Sequence, residues 1–285
     1  MHVGQECPTY GISKRHSNKI LRSHVRQVSL MSAEKSTAIV LRVIEFSETS
    51  VIVTLMTRDF GKITALAKGA RRRKSPFEAA LDVLSICRIV FLHKKSQAMD
   101  LLTEAKLERR FRRASTDLER LYAGYYVAEI LSALTDQADP HPELYDVATK
   151  AIVALDTDAA VPETLLRFEL GALRMLGHTP MLDRCAGCGR EKTLVDRRVN
   201  FALNAGGVFC DTCRQGKKSI VSLSAQAWQQ LVRLAGDETT AAETENEAGN
   251  IELTKENKLY GELRQVVNQY ISHLLGYRPR TQKYL

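Results

Sequence analysis

The sequence reads TAIVLRVIEF at residues 37–46, SVIVTLMT at residues 50–57 and KITALA at residues 62–67. All three segments are rich in β-branched and apolar residues, and short polar or glycine-containing turns separate them, as in consecutive antiparallel strands. Two more strand-like segments follow at about 83–94 and 98–107. Five short strands within roughly 70 residues, interrupted by one long loop, predict a small closed β-barrel.

Helical spacing of apolar residues replaces the strand pattern after residue 113. The predicted helices cover residues 114–135, 143–155, 162–176, 224–235 and 254–275. We therefore expect an α+β protein in which a barrel of residues 36–113 precedes an α-helical domain of residues 114–285.

Two segments carry neither pattern. Residues 1–35 contain six Lys and Arg residues against two Glu residues, and they lack the apolar centre of a secretion signal. We interpret them as a disordered basic extension or as sequence upstream of a start at Met31, with a basic arm or a transit peptide as the functional alternative. Residues 236–250 are acidic and aperiodic, and they predict a mobile loop without an assigned role.

Four of the six cysteines form two C-x-x-C pairs, Cys185 with Cys188 and Cys210 with Cys213. Zn²⁺ favours four such soft donors, and the hairpin-like VNFALNAGGVF between the pairs can bring them together. Four thiolates leave no open position for water or substrate, so the spacing predicts a structural Zn²⁺ site in an insert at residues 178–216. Gly189, directly after the second cysteine, is expected to adopt a positive φ.

One catalytic alternative rests on His141-Pro142-Glu143, because zinc deaminases combine H-x-E with P-C-x-x-C. Here Arg184 precedes Cys185 where the deaminases have proline, and the second cysteine pair would have no role. We therefore interpret the H-x-E segment as a cap where a loop enters a helix. The sequence also lacks G-x-x-x-x-G-K-[ST], G-x-G-x-x-G and H-E-x-x-H, so neither an ATPase nor a hydrolase is indicated.

Positive charge is concentrated in the predicted barrel. Residues 36–113 contain sixteen Lys and Arg residues against eight Asp and Glu residues, and the whole chain has a formal net charge of +8. Two clusters, one after the third strand and one after the last, supply the candidate DNA-binding residues: Lys68, Arg71, Arg72, Arg73 and Lys74, then Lys106, Arg109, Arg110, Arg112 and Arg113. Such clusters neutralise phosphates and predict salt-dependent binding. With five Phe and no Tyr or Trp in this region, few stacking contacts and weak sequence selectivity are expected.

Four blocks carry a family resemblance: TAIVLRVIEFSETSVIVTLMTRDFGKITALAKGARRRKS, LLRFELGALRMLGHTPMLDRCAGCG, NFALNAGGVFCDTC and HLLGYRPRTQKYL. Together they make residues 36–285 similar to the RecO family, the bacterial recombination mediators of the RecFOR pathway. The resemblance implies an N-terminal OB-fold, with both basic clusters on its surface, and an α-helical domain that carries the zinc insert.

The resemblance also implies a function. A protein of this family is expected to bind single- and double-stranded DNA and to anneal complementary strands. It is expected to help RecR load recombinase on DNA coated by single-stranded DNA-binding protein, with RecF as a further partner. It would be a cytoplasmic, nucleoid-associated protein without enzymatic activity or a membrane partner. Some members lack the cysteines, so the metal is not essential to mediator function throughout the family.

Two alternatives remain open at the level of sequence. One is a zinc-ribbon adaptor that acts mainly through protein or RNA partners, and the other is a metal-dependent nucleic-acid enzyme. Strand annealing without ATP or added metal would distinguish a mediator from the enzyme. DNA affinity that survives physiological salt would distinguish it from the adaptor.

Overall fold

The computed structural model of the protein describes residues 32–77, 80–93, 99–192, 198–236, 253–254 and 257–285. Residues from Met31 to Leu285 form one compact unit. The predicted extension, apart from its last four residues, and nearly all of the predicted acidic loop lie outside the described residues. No helix in the described part of the chain is long and apolar enough to cross a membrane.

Five strands form the N-terminal sheet: β1 (Ser32–Glu45), β2 (Val51–Thr57), β3 (Gly61–Ala67), β4 (Ile86–His93) and β5 (Asp100–Arg109). Their order is β1-β2-β3-β5-β4, and β4 pairs back onto β1. Only β3 and β5 run parallel, and three residue pairs join them. This arrangement confirms the prediction of a five-stranded, OB-type fold.

The first strand begins at Ser32, five residues before the predicted start. Its first half pairs with β4, from Ser32 opposite His93 to Ile39 opposite Ile86. A bulge between Val40 and Arg42 then turns the strand towards β2. The initial residues are mostly exposed, so backbone pairing rather than apolar burial defines this part of the strand.

The described residues after the sheet form six α-helices: α1 (Leu118–Leu134), α2 (Pro142–Leu155), α3 (Val161–Met175), α4 (Asp211–Arg214), α5 (Ala225–Ala235) and α6 (Lys258–Leu275). All but the one-turn α4 match predicted helices. The side chains of Asp117, Ser224 and Asn257 cap α1, α5 and α6 by accepting hydrogen bonds from backbone N–H groups.

The insert after α3 forms a second sheet from β6 (Arg198–Ala202), β7 (Gly207–Phe209) and β8 (Ile220–Ser224), in the order β7-β6-β8. The last strand lies beyond the predicted end of the insert at residue 216. Its alternation of buried Val221 and Leu223 with more exposed serines is the sequence signal that could have identified it.

The helical core extends onto the outside of the barrel. Ile39, Met56 and Ile86 belong to the same buried cluster as Tyr126 and Ile130 of α1. A separate cluster, which includes Val53, Leu55 and Phe91, fills the barrel interior. The barrel therefore buries apolar side chains on two sides, one inside itself and one against the helices.

A glycine and a lysine bring the helices close to the barrel. A Cβ atom on Gly124 of α1 would lie 2.5 Å from Cδ1 of Leu84 and 2.9 Å from Cε1 of Phe111. Lys62 of β3 donates from Nζ to the carbonyl oxygens of Ser132, at 2.7 Å, and Thr135, at 2.5 Å. These contacts fix the barrel against α1.

Candidate metal centre and nucleic-acid interface

The four predicted cysteines converge. The sulfur atoms of Cys185, Cys188, Cys210 and Cys213 all lie within 4.8 Å of one another, and none forms a disulfide. The Sγ atoms of Cys188 and Cys210 are 3.8 Å apart. Tetrahedral Zn²⁺ with bonds of about 2.3 Å would place its sulfur ligands about 3.8 Å apart. Both the donor set and the spacing fit a four-coordinate metal ion.

The two C-x-x-C pairs lie on two turns that contact each other. In the first turn, Gly189 has a φ of +71° and its N–H donates to the carbonyl oxygen of Cys185 at 2.8 Å. The N–H of Ala186 donates to the carbonyl oxygen of Val208 at 2.8 Å, which ties this turn to β7 and so to the second cysteine pair. A Cβ atom on Gly187 would lie 3.0 Å from Sγ of Cys213, so a side chain there would crowd the site.

Backbone N–H groups favour the thiolate of Cys185, the buried member of the set. Gly187 and Cys210 donate to its Sγ at 3.4 and 3.3 Å. Burial raises the pKa of Cys185, but the N–H groups of Cys210, Cys188 and Gly187 outweigh it and lower the pKa to about 6. Hydrogen bonds with Cys210 and Cys188 raise the pKa of Cys213 to about 12. Thiolates are the metal-binding form of cysteine, so a bound cation would use the thiolate of Cys185 and would displace the proton that Cys213 keeps.

The metal-binding group in the described chain consists of these four cysteines alone. His141 lies elsewhere, at the N-cap of α2, where its Nε2 atom is 3.0 Å from Oδ2 of Asp139. The histidine ring makes no capping hydrogen bond to the helix. The deaminase alternative therefore has no histidine at the four-cysteine cluster, which could hold a metal ion with cysteine ligands alone.

The first basic cluster forms an exposed loop between β3 and β4. All five predicted residues, from Lys68 to Lys74, are exposed, and the buried ring of Phe77 anchors the end of the loop. The backbone N–H of Arg71 donates to the carbonyl oxygen of Thr49 at 3.1 Å, so the loop rests on the β1–β2 turn.

One of the five charges in this loop is partly neutralised. Arg71 pairs with Glu45, with Nη1 and Oε2 3.0 Å apart, and both side chains remain exposed. Arg72, Arg73 and Lys74 make no ion pair with any described residue. The loop thus presents three uncompensated positive charges next to one another.

The second basic cluster is placed differently. Nη2 of Arg109 lies 3.3 Å from the carboxylate of Asp156, and Nη2 of Arg113 lies 2.7 Å from that of Asp158. The carboxylate of Asp156 also accepts hydrogen bonds from the backbone N–H groups of Arg112 and Arg113. This part of the cluster joins the end of β5 to the segment that follows α2.

The rest of the second cluster reaches the solvent. Arg110 pairs with Asp82 at 3.4 Å, while Lys106 and Arg112 are exposed. Along β5, Leu102 lies opposite Ala67, the residue before the first cluster. Lys106 is four residues further, a separation of about 13 Å at the rise of a β-strand. Arg109 is seven residues beyond Leu102, about 23 Å, so Lys106 is the member of the second cluster that the register places nearest to the first.

One exposed aromatic side chain was not expected. Of the five Phe residues between 36 and 113, Phe77, Phe91 and Phe111 are buried, and Phe60 packs edge-to-face on Phe91. Phe46, at the β1–β2 turn beside the basic loop, is 62% exposed. Phe46 continues the alternate positions of Arg42 and Ile44, which face the solvent. This period of two is the sequence signal that could have indicated its exposure.

Comparison with known proteins gives matches along nearly the whole described chain. The family model "Recombination protein O N terminal" matches residues 31–111, and "Recombination protein O C terminal" matches residues 115–283. A DNA repair protein RecO of Rhodopirellula baltica is 44% identical over 262 residues, which cover 87% of this chain and 97% of that protein. The proteins of the same name from Anaeromyxobacter dehalogenans and Symbiobacterium thermophilum are each 31% identical, over 255 and 248 residues. Those alignments cover 90% and 87% of this chain and 96% and 94% of the relatives.

Proposed function

Because this chain belongs to the RecO family of DNA repair proteins, we propose that it is a DNA-binding recombination mediator. Its role lies in DNA repair and recombination. In this proposal it anneals complementary strands and, together with RecR, helps to load recombinase on single-stranded DNA. It acts without catalysing a covalent reaction itself. The observation that carries the proposal is the run of three exposed, unpaired cations, Arg72, Arg73 and Lys74, on an OB-type barrel.

The basic loop supplies the kind of contact that DNA binding needs. Each cation that neutralises a phosphate releases condensed counterions, which makes the affinity fall steeply with salt. The loop offers cations on an exposed segment, and most protein–DNA contacts of such side chains go to phosphate oxygens, which carry no sequence information. We assign the barrel of residues 36–113 as the DNA-binding module and residues 114–285 as the helical module that carries the insert.

All ten predicted basic residues belong to the proposed interface, but we expect them to contribute unequally. Lys106 and Arg112 are exposed and can reach a phosphate without breaking an ion pair. Arg109 and Arg113 already pair with Asp156 and Asp158, so a phosphate would have to compete with a carboxylate. The first cluster should therefore account for most of the affinity.

We propose that Cys185, Cys188, Cys210 and Cys213 hold structural Zn²⁺. When bound, the metal would join the two C-x-x-C turns and would supply no step of a reaction. RecR, single-stranded DNA-binding protein and RecF are the proposed protein partners, on the strength of family membership. A zinc-ribbon adaptor that binds mainly protein or RNA is the alternative to this proposal.

The triple substitution of Arg71, Arg72 and Arg73 by Ala tests the proposal. We expect weaker binding to all DNA sequences, single- and double-stranded, and a salt slope smaller by up to about three on duplex. The matched control replaces Arg167, Arg184 and Lys218, three exposed cations of the helical part, and should bind like the wild type. Unchanged affinity of the loop variant would exclude the loop as a DNA site.

Strand annealing tests the finer part of the proposal. Purified protein should anneal complementary oligonucleotides without ATP, and the loop variant should anneal them more slowly. Failure of the wild type to anneal, or DNA binding that disappears at physiological salt, would favour the adaptor alternative.

A further inference from the structure

A crevice of ≈ 460 Å³ lies where the barrel, α1 and the C-terminal tail meet. Tyr125 of α1 and Tyr277 of the tail line one side of it, and Leu41 and Arg42 of β1 line the other. The two tyrosines are 39% and 52% exposed. Two large, accessible rings beside a cation on one small surface are an arrangement that packing alone does not require.

The surroundings of the crevice are positively charged. Arg42 is exposed at its edge, and the tail exposes Arg278, Arg280 and Lys283. The acidic lining residue is Glu129. Its oxygens accept hydrogen bonds from the N–H of Arg280 at 2.8 Å and from the N–H and hydroxyl of Thr281 at 2.9 and 2.5 Å. Within the lining Arg42 balances Glu129, and the three cations of the tail make the surroundings of the crevice positive.

The crevice continues into the basic loop along the outer face of β1. Arg42 and Ile44 occupy alternate positions of the strand, Phe46 follows its last residue, and all three are exposed. The four-residue step from Arg42 to Phe46 spans about 13 Å. Phe46 lies at the β1–β2 turn, which contacts the basic loop through Thr49. An aromatic, an apolar and a cationic side chain thus follow one another from the loop to the crevice.

We infer that this β1 strip, which consists of Phe46, Ile44, Arg42, Tyr125 and Tyr277, binds single-stranded DNA by stacking unpaired bases on its rings. The inference rests on the proposed DNA-binding function and assigns single-stranded DNA, in preference to duplex, to part of that surface. In a duplex both faces of each base are covered by neighbours, whereas an unpaired base can leave the stack and lie on an aromatic ring. Arg42 and the basic loop would hold the phosphates between the stacked bases.

A protein partner is the competing occupant of this surface. Tyr, Phe and Arg are enriched at protein–protein interfaces too, so the distinction rests on net charge and not on residue type. Here Arg42 lies between the rings of the crevice and Ile44, and the tail adds three more cations. Charge complementarity therefore favours a polyanion that also offers flat apolar faces, which is the chemistry of a nucleic-acid strand.

The double variant Tyr125→Ala/Tyr277→Ala tests the inference in the full-length protein. Its affinity for an oligothymidine should fall by roughly tenfold or more, because each lost base stack weakens binding about five- to 100-fold. Its affinity for a duplex of equal length should stay unchanged. Tyr125→Phe/Tyr277→Phe keeps both rings and should bind like the wild type. Leu118→Ala removes an apolar side chain on α1 that is 63% exposed and does not line the crevice, and should have no effect.

A variant at a second position distinguishes loss of base stacking from unfolding of the double variant. Phe46→Ala, at an exposed turn, should show the same selective loss on oligothymidine. Phe46→Trp should report binding directly, since the only natural tryptophan, Trp228, is buried, and single-stranded DNA should quench the new fluorophore while duplex should not.

The outcomes separate the two proposals. Equal losses on single strand and duplex, or no loss on either from both the crevice and the Phe46 variants, would overturn the β1 strip. If the loop variant also bound both DNAs like the wild type, the DNA-binding function itself would fail. If only the loop variant lost affinity, the function would stand without the β1 strip.

Discussion

The amine of Lys62 on β3 lies 2.5 Å from the carbonyl oxygen of Thr135, the residue that ends α1. A strand of the barrel thus supplies the cation that satisfies the last carbonyl groups of a helix, where the helix dipole is negative. The amine also donates to the carbonyl oxygen of Ser132. One side chain therefore joins the two halves of the protein.

We expect Lys62→Met to destabilise the protein by about 1–3 kcal/mol, since it leaves the carbonyl oxygens of buried Thr135 and of Ser132 without their donor. Urea unfolding followed by circular dichroism would measure the loss. Lys106→Met, at an exposed position of β5, is the control and should change the free energy of unfolding by less than about 0.5 kcal/mol. Equal stability of the two variants would contradict the capping role of Lys62.

Two helix glycines should respond in opposite directions to alanine. Gly124→Ala would bring a methyl group 2.5 Å from Leu84 and should destabilise the contact between α1 and the barrel. A Cβ on Gly261 of α6 meets nothing within 4 Å, so Gly261→Ala should stabilise the protein by up to about 1 kcal/mol. Thermal unfolding of both variants would measure the difference. A stabilised Gly124→Ala would show that Leu84 and Phe111 can move away at little cost.

The C-terminal tail should loosen in acid. Burial raises the pKa of Glu129, but hydrogen bonds from Thr281 and Arg280 outweigh it and hold the pKa below its usual 4.5. The carboxylate therefore contributes stability above the unfolded-state pKa, and this contribution is lost as the pH falls through the lower folded-state pKa.

Comparison with Glu129→Gln should isolate that contribution. The stability advantage of the wild type over this variant should be present at about pH 7 and shrink towards about pH 3. Urea unfolding at a series of pH values would measure it, with Glu104→Gln at an exposed position of β5 as the control. An advantage that stayed constant with pH would exclude the carboxylate as the source.

Removal of one metal ligand should lower the free energy of unfolding more than it lowers the affinity for DNA. We expect Cys188→Ser to lose bound zinc, measured by elemental analysis, and to lose several kcal/mol of stability. Cys87→Ala changes a buried cysteine of the barrel that lies outside the four-cysteine cluster, and it should keep its full metal content. A fully stable Cys188→Ser protein that no longer binds DNA would refute the structural role of the metal.

The sequence predicts the elements of this fold better than their contacts. Alternating apolar residues mark the strands, and two C-x-x-C pairs mark the metal centre, because both signals are local. The first residues of β1 escaped prediction because SAEKS pairs through its backbone and buries almost nothing. Burial periodicity is not informative for such a segment.

The predicted DNA interface likewise depends on contacts between residues that are distant in sequence. The ten basic residues look equivalent in sequence, yet Arg109 and Arg113 find carboxylates more than forty positions away. The exposure of Phe46 and the approach of Tyr277 to β1 also depend on tertiary packing. Long-range pairing of this kind leaves no mark in residue spacing, so the sequence alone could not rank the candidates.

The placement of Ile39, Met56 and Ile86 in the helical core has a consequence for how the chain folds. An isolated barrel would expose these side chains to water, and an isolated helical half would lose part of its interior. The two stretches that the family models recognise separately are thus poor candidates for autonomous folding. The protein should unfold in one cooperative transition, and a break in the chain near residue 113 should yield two fragments that need each other to become native.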